Sequence, residues 1–392
     1  MKAAHPSLAR QRRPSPAAAR PSGGASGTPS LRLVSSRPLR VADVALFYGE
    51  RSGGIRTYLD AKVEHAERTG AFEHHLIVPG VRAARREHAA GAVHELPAVR
   101  VAASNGYRWP LGSRPLTTLL DAIKPDVLLL HDPFWAPRAN AGCTLMVHHG
   151  SVALDAAAFR GPRRLYEAGF RAWLKRSYAH ADGVMAACDP HADTGRDATL
   201  PLRFGLDPAF RPRAGVRRAD HVLYAGRLGR EKGVFALLEA ARRSEEPWPL
   251  WLMGAGPAER EIAAQVRKLG LRDRVRFLPY LNGRDAMARA YQRARCVVMP
   301  GELETFGLVA YEAVASGAST VACSTAPSTR LLGDLVRTFR PGDIDGMAWA
   351  IAAARADKPD LDAALMFAAH HQWDAAFKAE LADLERVVVA TP

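Results

Sequence analysis

A chain of 392 residues with 48% apolar side chains is long for one core and carries material for two. Its formal charge of +14 is uneven: residues 1–40 hold eight Lys and Arg and no Asp or Glu, leaving +6 (14 − 8) on the rest, which excludes a nucleic-acid face as its organising principle. No run reaches the roughly 18 apolar residues of a membrane span, and no secretory h-region is present.

In chain order, residues 1–40 are rich in Pro, Ser, Ala, Gly and Arg and read as a disordered basic tail, with an organelle transit peptide as the alternative. Residues 41–47 are an apolar run. They lead through Tyr48-Gly-Glu-Arg-Ser-Gly53-Gly54 into a helix expected from Ile55 to about Arg68. Paired glycines at such a turn either bring the backbone close to a ligand or simply make it tight; Gly53-Gly54 is not a full dinucleotide fingerprint. Apolar runs at 75–78, 126–130, 144–147 and 183–187 read as buried parallel strands, joined by helical or irregular crossovers. Two of them end in histidines, at His131-Asp132-Pro133 and at His148-His149, where an imidazole can meet a ligand or merely sit in a turn. The four cysteines, Cys143, Cys188, Cys296 and Cys323, are far apart among apolar neighbours, as reduced, buried thiols of a cytoplasmic protein would be.

Residues 159–180 form a helix-forming stretch with six cations, one acid and interleaved aromatics. It can lie on an anionic membrane or be a solvated face packed by its aromatics. Three prolines and a glycine at 200–212 mark an exit from the first domain, and a basic linker follows at 213–218.

A second strand-helix series begins at 222–225, which runs into Gly226-Arg227 and, five residues on, Lys232-Gly233 before a helix over 234–242. Arg227 can fork onto phosphate oxygens while Lys232 adds a point charge. Strand 250–253 turns through Gly254-Ala-Gly-Pro257 into another helix, and strands at 275–278, 296–299, 319–322 and 336–339 and a helix over 344–355 complete a second parallel sheet. After strand 296–299, a Pro-Gly turn enters a helix near Phe306-Gly307. Glu304 then stands at the mouth of that helix, with Glu312 about two turns inside it. Free backbone N–H groups at the turn attract phosphate, and adjacent carboxylates can hold sugar or ribose hydroxyls; the plainer reading is a capping acid and a solvated one.

Gly226-Arg227…Lys232-Gly233, Gly254-x-Gly256-Pro257, Glu304-x-Phe306-Gly307-Leu308-x3-Glu312-Ala313 and Gly317 together resemble the donor half of the family 4 retaining glycosyltransferases (glycosyl transferases group 1) of the GT-B fold. Residues 205–212 are similar to that family's interdomain segment, and Trp373 to its final helix. The resemblance implies an α/β chain of two Rossmann-like, doubly wound domains facing a central cleft: 41–213 on the acceptor side, 214–365 binding a nucleotide sugar, and 366–392 crossing back. It implies that Arg227 and Lys232 hold a diphosphate and that Glu312 binds the ribose. Glu304 would contact the transferred sugar, and Phe306, Gly307 and Leu308 would offer N–H groups. Gly53 and Gly54 would approach from the opposite domain and His149 would meet the sugar, with Gly254 completing the donor site.

Two stretches depart from the family pattern: Arg203-Phe204-Gly205 replaces its Pro-Asn-Gly, and Ala318-Ser319-Thr320 stands where it has a residue, Pro and Val. Glu302 also competes with Glu304 as the carboxylate facing the sugar. The expectation is a retaining, metal-independent hexosyltransferase with no cofactor. It would use a UDP- or GDP-sugar and a glycan or lipid-linked acceptor, be cytoplasmic, and touch an anionic membrane through 159–180. A GT-B nucleotide-sugar epimerase and a non-catalytic anion-binding protein are the alternatives.

Overall fold

Apolar runs of four or five residues, too short for helices and bounded by Gly, Pro or His, become the strands of two sheets. The structure, a computed structural model, describes residues 37–49, 53–101, 108–137, 139–158 and 161–390. The first sheet contains β1 (Arg40–Val44), β2 (Glu73–Gly80), β3 (Ala84–His88), β4 (Gly91–Arg100), β5 (Arg108–Pro110), β6 (Val127–Leu130), β7 (Cys143–His148), β8 (Gly183–Ala186) and β9 (Leu200–Pro201). Their spatial order is β3-β4-β2-β1-β6-β7-β8-β9, with β5 on β4. Val44 pairs with Ile77 on one side and Leu130 on the other, so β1 is central.

The second sheet contains β10 (Val222–Ala225), β11 (Leu250–Met253), β12 (Val275–Leu278), β13 (Cys296–Met299), β14 (Thr320–Cys323) and β15 (Arg337–Phe339), all parallel. Its order is β12-β11-β10-β13-β14-β15, so the direction of winding reverses between β10 and β13. In the first sheet the same reversal falls between β1 and β6. Such switch points leave a crevice at the carboxyl ends of the strands. Helices cover both faces of each sheet. One cluster fills the outer side of each half, and a third, holding Tyr58, Phe204, Phe306, Tyr311 and Trp373, is shared between them.

The chain leaves the first half through Leu206 and returns through Gln372, and the two crossings are held together. Leu206 N–H donates to His371 O (2.7 Å), and Trp373 N–H donates to Leu206 O (3.2 Å). The helix Trp373–Ala390 then docks on the helix Gly54–Thr69, with Trp373 and Phe377 around Tyr58.

Several expectations need correction. The tail assigned to residues 1–40 ends too late, because Arg40 opens β1 and pairs with Glu73, and Arg37 pairs with Asp126; residues 1–36 lie outside the described residues. The crossover expected between the second and third strands is partly β: β3 and β4 form a hairpin, and β4 joins β2 in parallel. The basic helix is shorter than 159–180, running Arg163–Tyr178 behind a separate helix Val152–Ala158; Phe159 and Arg160 lie outside the described residues. Cys188 is only half-buried, whereas Cys143, Cys296 and Cys323 are buried, and all four are free thiols.

Candidate active site

Two helices begin with glycine caps and meet across the cleft. Gly53 caps the helix Gly54–Thr69 and Gly307 caps the helix Leu308–Ala315, and neither cap offers a side chain to the first-turn N–H groups. Those donors therefore point into the cleft with the positive ends of both helix dipoles. A Cβ built on Gly54 would come within 2.9 Å of Leu308 Cδ1, which fixes how closely the two ends approach. Gly307 has φ +96, and a Cβ there would collide with Ser328 and Met299. The turn after β13 thus requires glycine. The helix begins at Leu308, one residue later than expected, so Glu312 sits about one turn inside it rather than two.

The other wall comes from the turn after β10, next to β13. Lys232 ends a short 3-10 turn, Arg230–Lys232, and its Nζ lies 2.8 Å from Glu304 Oε2. Arg227 pairs with the buried Glu231 at 2.5 Å and remains 40% exposed at its side chain, and its charge reaches Asp155 on the helix Val152–Ala158. Lys232, Arg227 and Glu304 therefore stand together at the switch point. Gly254 has a structural part: its N–H donates to Leu278 O, and its α-carbon packs against the Gly226 backbone. It allows the turns after β10 and β11 to nest.

The two rival carboxylates take different partners. Glu302 turns away, accepting the Gly342 N–H at 2.7 Å, while its carbonyl accepts from Thr325. Glu312 accepts from Tyr291 Oη at 3.2 Å, and burial raises its carboxyl to about 7, against the hydrogen bond and the nearby Arg284 charge. Phe306 is buried and stacks on Phe204 at 4.5 Å, so the replacement in Arg203-Phe204-Gly205 supplies a ring beneath the Glu304 loop. Arg203 pairs with Asp383 of the last helix at 2.7 Å.

The histidines separate. His148 is the last residue of β7 and His149 follows it; successive side chains leave a strand on opposite faces. His148 turns to Tyr178 Oη (3.1 Å). His149 turns to His131, Nε2 to Nδ1, at 2.6 Å, and His131 Nε2 lies 2.6 Å from Asp43 Oδ1. The turn reading of His131-Asp132-Pro133 holds, since Asp132 accepts from the N–H groups of Leu46, Phe134 and Trp135, while both ring nitrogens of His131 face protein partners. Sequence reading missed Asp43, Lys62 and Glu380, which are buried behind His131. The available signal was a lone Asp in the apolar first strand.

Two Asp-x-Asp spacings, which can signal metal binding, are spent on helix ends. Asp343 accepts from Gly346 N–H and Asp360 from Ala363 N–H.

Two family models match the chain: Glycosyltransferase Family 4 over residues 52–201 and Glycosyl transferases group 1 over residues 212–369. The chain is 28% identical over 323 residues to the GDP-mannose-dependent alpha-(1-6)-phosphatidylinositol dimannoside mannosyltransferase of Mycobacterium tuberculosis, 75% of this chain and 82% of that protein. Among solved structures, sucrose-phosphate synthase from Thermosynechococcus elongatus superposes with a TM-score of 0.71 at 18% identity, covering 90% of this chain and 100% of that one. Anabaena HepE in complex with UDP and glucose gives 0.59 at 17% identity, covering 90% and 99%.

Proposed function

The chain belongs to the family 4 glycosyltransferases and has their GT-B architecture, and on that premise we propose that it moves a mannose- or glucose-type hexose from a UDP- or GDP-sugar to a glycan or glycolipid acceptor. Transfer proceeds with retention at the anomeric carbon and without a metal. The observation that carries this reading is the convergence of Lys232 and Arg227 with two glycine-capped helix ends, at Gly54 and Leu308. Six or more backbone donors and two cations around one cleft suit a diphosphate.

The chemistry follows from the charges. The diphosphate takes the Lys232 ammonium over from Glu304, which frees that carboxylate to face the sugar as positive charge develops on its ring. The bond from the anomeric carbon to the diphosphate breaks, the acceptor oxygen bonds to the same face, and its proton passes to the departing phosphate oxygen. Lys232 and Arg227 stabilise the charge on that leaving group. Glu312, protonated or ionised near neutrality, accepts or donates to ribose hydroxyls. His149 meets the sugar from the opposite wall.

For the acceptor, the Mycobacterium tuberculosis relative is named for a phosphatidylinositol dimannoside. A lipid-linked acceptor suits the helix Arg163–Tyr178, which buries only Leu174 and Tyr178 and exposes Leu165 (72%), Arg164, Lys175 and Arg176. Among the described residues no helix is long and apolar enough to cross a membrane, so contact would be peripheral.

Replacing Lys232 with Ala tests the assignment. Transfer from the sugar nucleotide that most raises the melting temperature should fall by about 10³-fold. The melting temperature should barely move, because a partly exposed ion pair contributes less than ~1 kcal/mol. Wild-type transfer by a folded K232A chain would sink the reading.

A further inference from the structure

Behind His149 lies a buried chain of charges drawn from five elements. Asp43 on β1 accepts from His131 through Oδ1 (2.6 Å) and contacts His74 of β2 through Oδ2 (2.8 Å). Lys62 lies 3.0 Å from the same Oδ2 and 2.8 Å from Glu380 on the last helix, whose carboxylate also accepts from Tyr58 Oη at 2.7 Å. Asp43, Lys62, His74, Glu380 and Tyr58 are all at most 2% exposed.

Such a set is costly to bury unless each member is paired, and packed apolar residues would stabilise the fold as well or better. Stability alone therefore does not account for it. We propose that Asp43 and His131 are positioning residues for the transfer reaction: two consecutive hydrogen bonds hold His149 in the tautomer that keeps its Nδ1 an acceptor, and the Lys62–Glu380 pair ties that setting to the docking of the last helix. This inference rests on the reading of His149 as the group that meets the sugar.

The direction of the relay follows from donor and acceptor counts. Burial would raise the Asp43 carboxyl, but Lys62, His131 and His74 overcome it and hold it well below the usual range. Asp43 is thus ionised and can only accept, so His131 Nε2 carries a proton; with that one proton on the ring, its Nδ1 accepts. The 2.6 Å contact then requires His149 Nε2 to donate. Burial, with His131 and His148 beside it, pushes His149 well below its ordinary value, so the ring is neutral and its one remaining nitrogen, Nδ1, bears a lone pair. A sugar hydroxyl donates to that nitrogen. With the proton moved to Nδ1, that hydroxyl would have to turn and accept instead, and could no longer donate to His149.

Asp43→Asn reverses the relay without changing its shape. Lys62 Nζ spans both oxygens, 3.0 Å from Oδ2 and 3.2 Å from Oδ1, so His74 Nε2, 2.8 Å from Oδ2, sets the orientation: the new carbonyl stays toward His74 and the amide nitrogen faces His131. His131 must then carry its proton on Nδ1 and donate to His149, whose own proton moves to Nδ1. In the full chain labelled with ¹⁵N-histidine, with His149 assigned from its loss in His149→Ala, the wild type should show His149 protonated at Nε2 and Asp43→Asn should show it protonated at Nδ1. Release of nucleoside diphosphate from the UDP- or GDP-sugar that most raises the melting temperature should lose about 10²-fold in kcat in Asp43→Asn, with KM for the donor unchanged.

His131→Gln keeps a donor toward Asp43 and an acceptor toward His149, and should retain the wild-type tautomer and most of kcat. His131→Leu should lose both. A His149 ring protonated at Nδ1 in the wild type, a doubly protonated His131, or an unchanged His149 signal in folded Asp43→Asn would overturn the inference. If Asp43→Asn does not fold, equal kcat in His131→Gln and His131→Leu overturns it. Failure of the underlying site reading looks different: His149→Ala would then turn over at the wild-type rate while the tautomer still inverted in Asp43→Asn, and the relay would have no reaction to serve.

Discussion

Glu312 is held in a place that works against its own charge, and that tension can be measured. Its carboxyl rises from the usual range to about 7 because burial disfavours the anion more than Tyr291 and Arg284 favour it. A group whose folded pKa is raised adds stability below its unfolded pKa and loses it as pH rises through the folded value. Relative to Glu312→Gln, the wild type should therefore be more stable at pH 5 than at pH 8, by up to ~3 kcal/mol, in chemical denaturation of the chain without donor. A gap between the two that does not change with pH would remove the burial argument. Arg227, Lys232 and Glu304 were legible in the sequence because each lies in a strand-to-helix connection, where side chains can face the crevice, and Glu312 because of its spacing from Glu304. Asp43 and its partners were not. A lone Asp in an apolar strand announces a buried charge, but the residues that satisfy it lie at 62, 74 and 131, with Glu380 behind Lys62, and only the closed fold brings them together.

At the scale of elements, parallel strands were readable because a strand covered on both faces is a continuous apolar run, as Val127–Leu130 and Cys296–Met299 are. The β3 strand was not, because its sequence Ala-Arg-Arg-Glu-His is almost wholly exposed and has no apolar alternation; edge strands carry such charges to discourage pairing with another chain. The helix Arg163–Tyr178 shows the opposite imbalance, with aromatics packed beneath it through Phe134, Phe170 and Trp173 and cations left above. Reversing Arg164, Lys175 and Arg176 to Glu together should cut binding to phosphatidylserine-containing vesicles by at least about 10²-fold, since each cation near such a surface contributes ~1 kcal/mol. The same change should leave secondary structure intact by circular dichroism. Equal sedimentation of wild type with neutral and anionic vesicles would dismiss the surface as a membrane contact.

Across the whole molecule, the last helix joins parts that the sequence places more than 300 residues apart, and its docking is apolar before it is ionic. Phe377 is 1% exposed between Trp373 and Tyr58, so Phe377→Ala should cost about 3 kcal/mol in urea unfolding. Because this helix begins at the return crossing yet packs on the first half, both halves should unfold in one transition in the wild type. The variant should separate them into two.

The bridge between Leu206 and Gln372 has a mechanical consequence. A single covalent crossing would be a swivel, leaving one half free to twist, tilt and swing against the other. Two crossings laced side by side by Leu206 and Trp373 act as a door hinge, which removes the twist and leaves one arc of travel. Any opening that parts Gly54 from Leu308 would then follow a single path, and on the proposed function a diphosphate would meet the same donors in the same order each time.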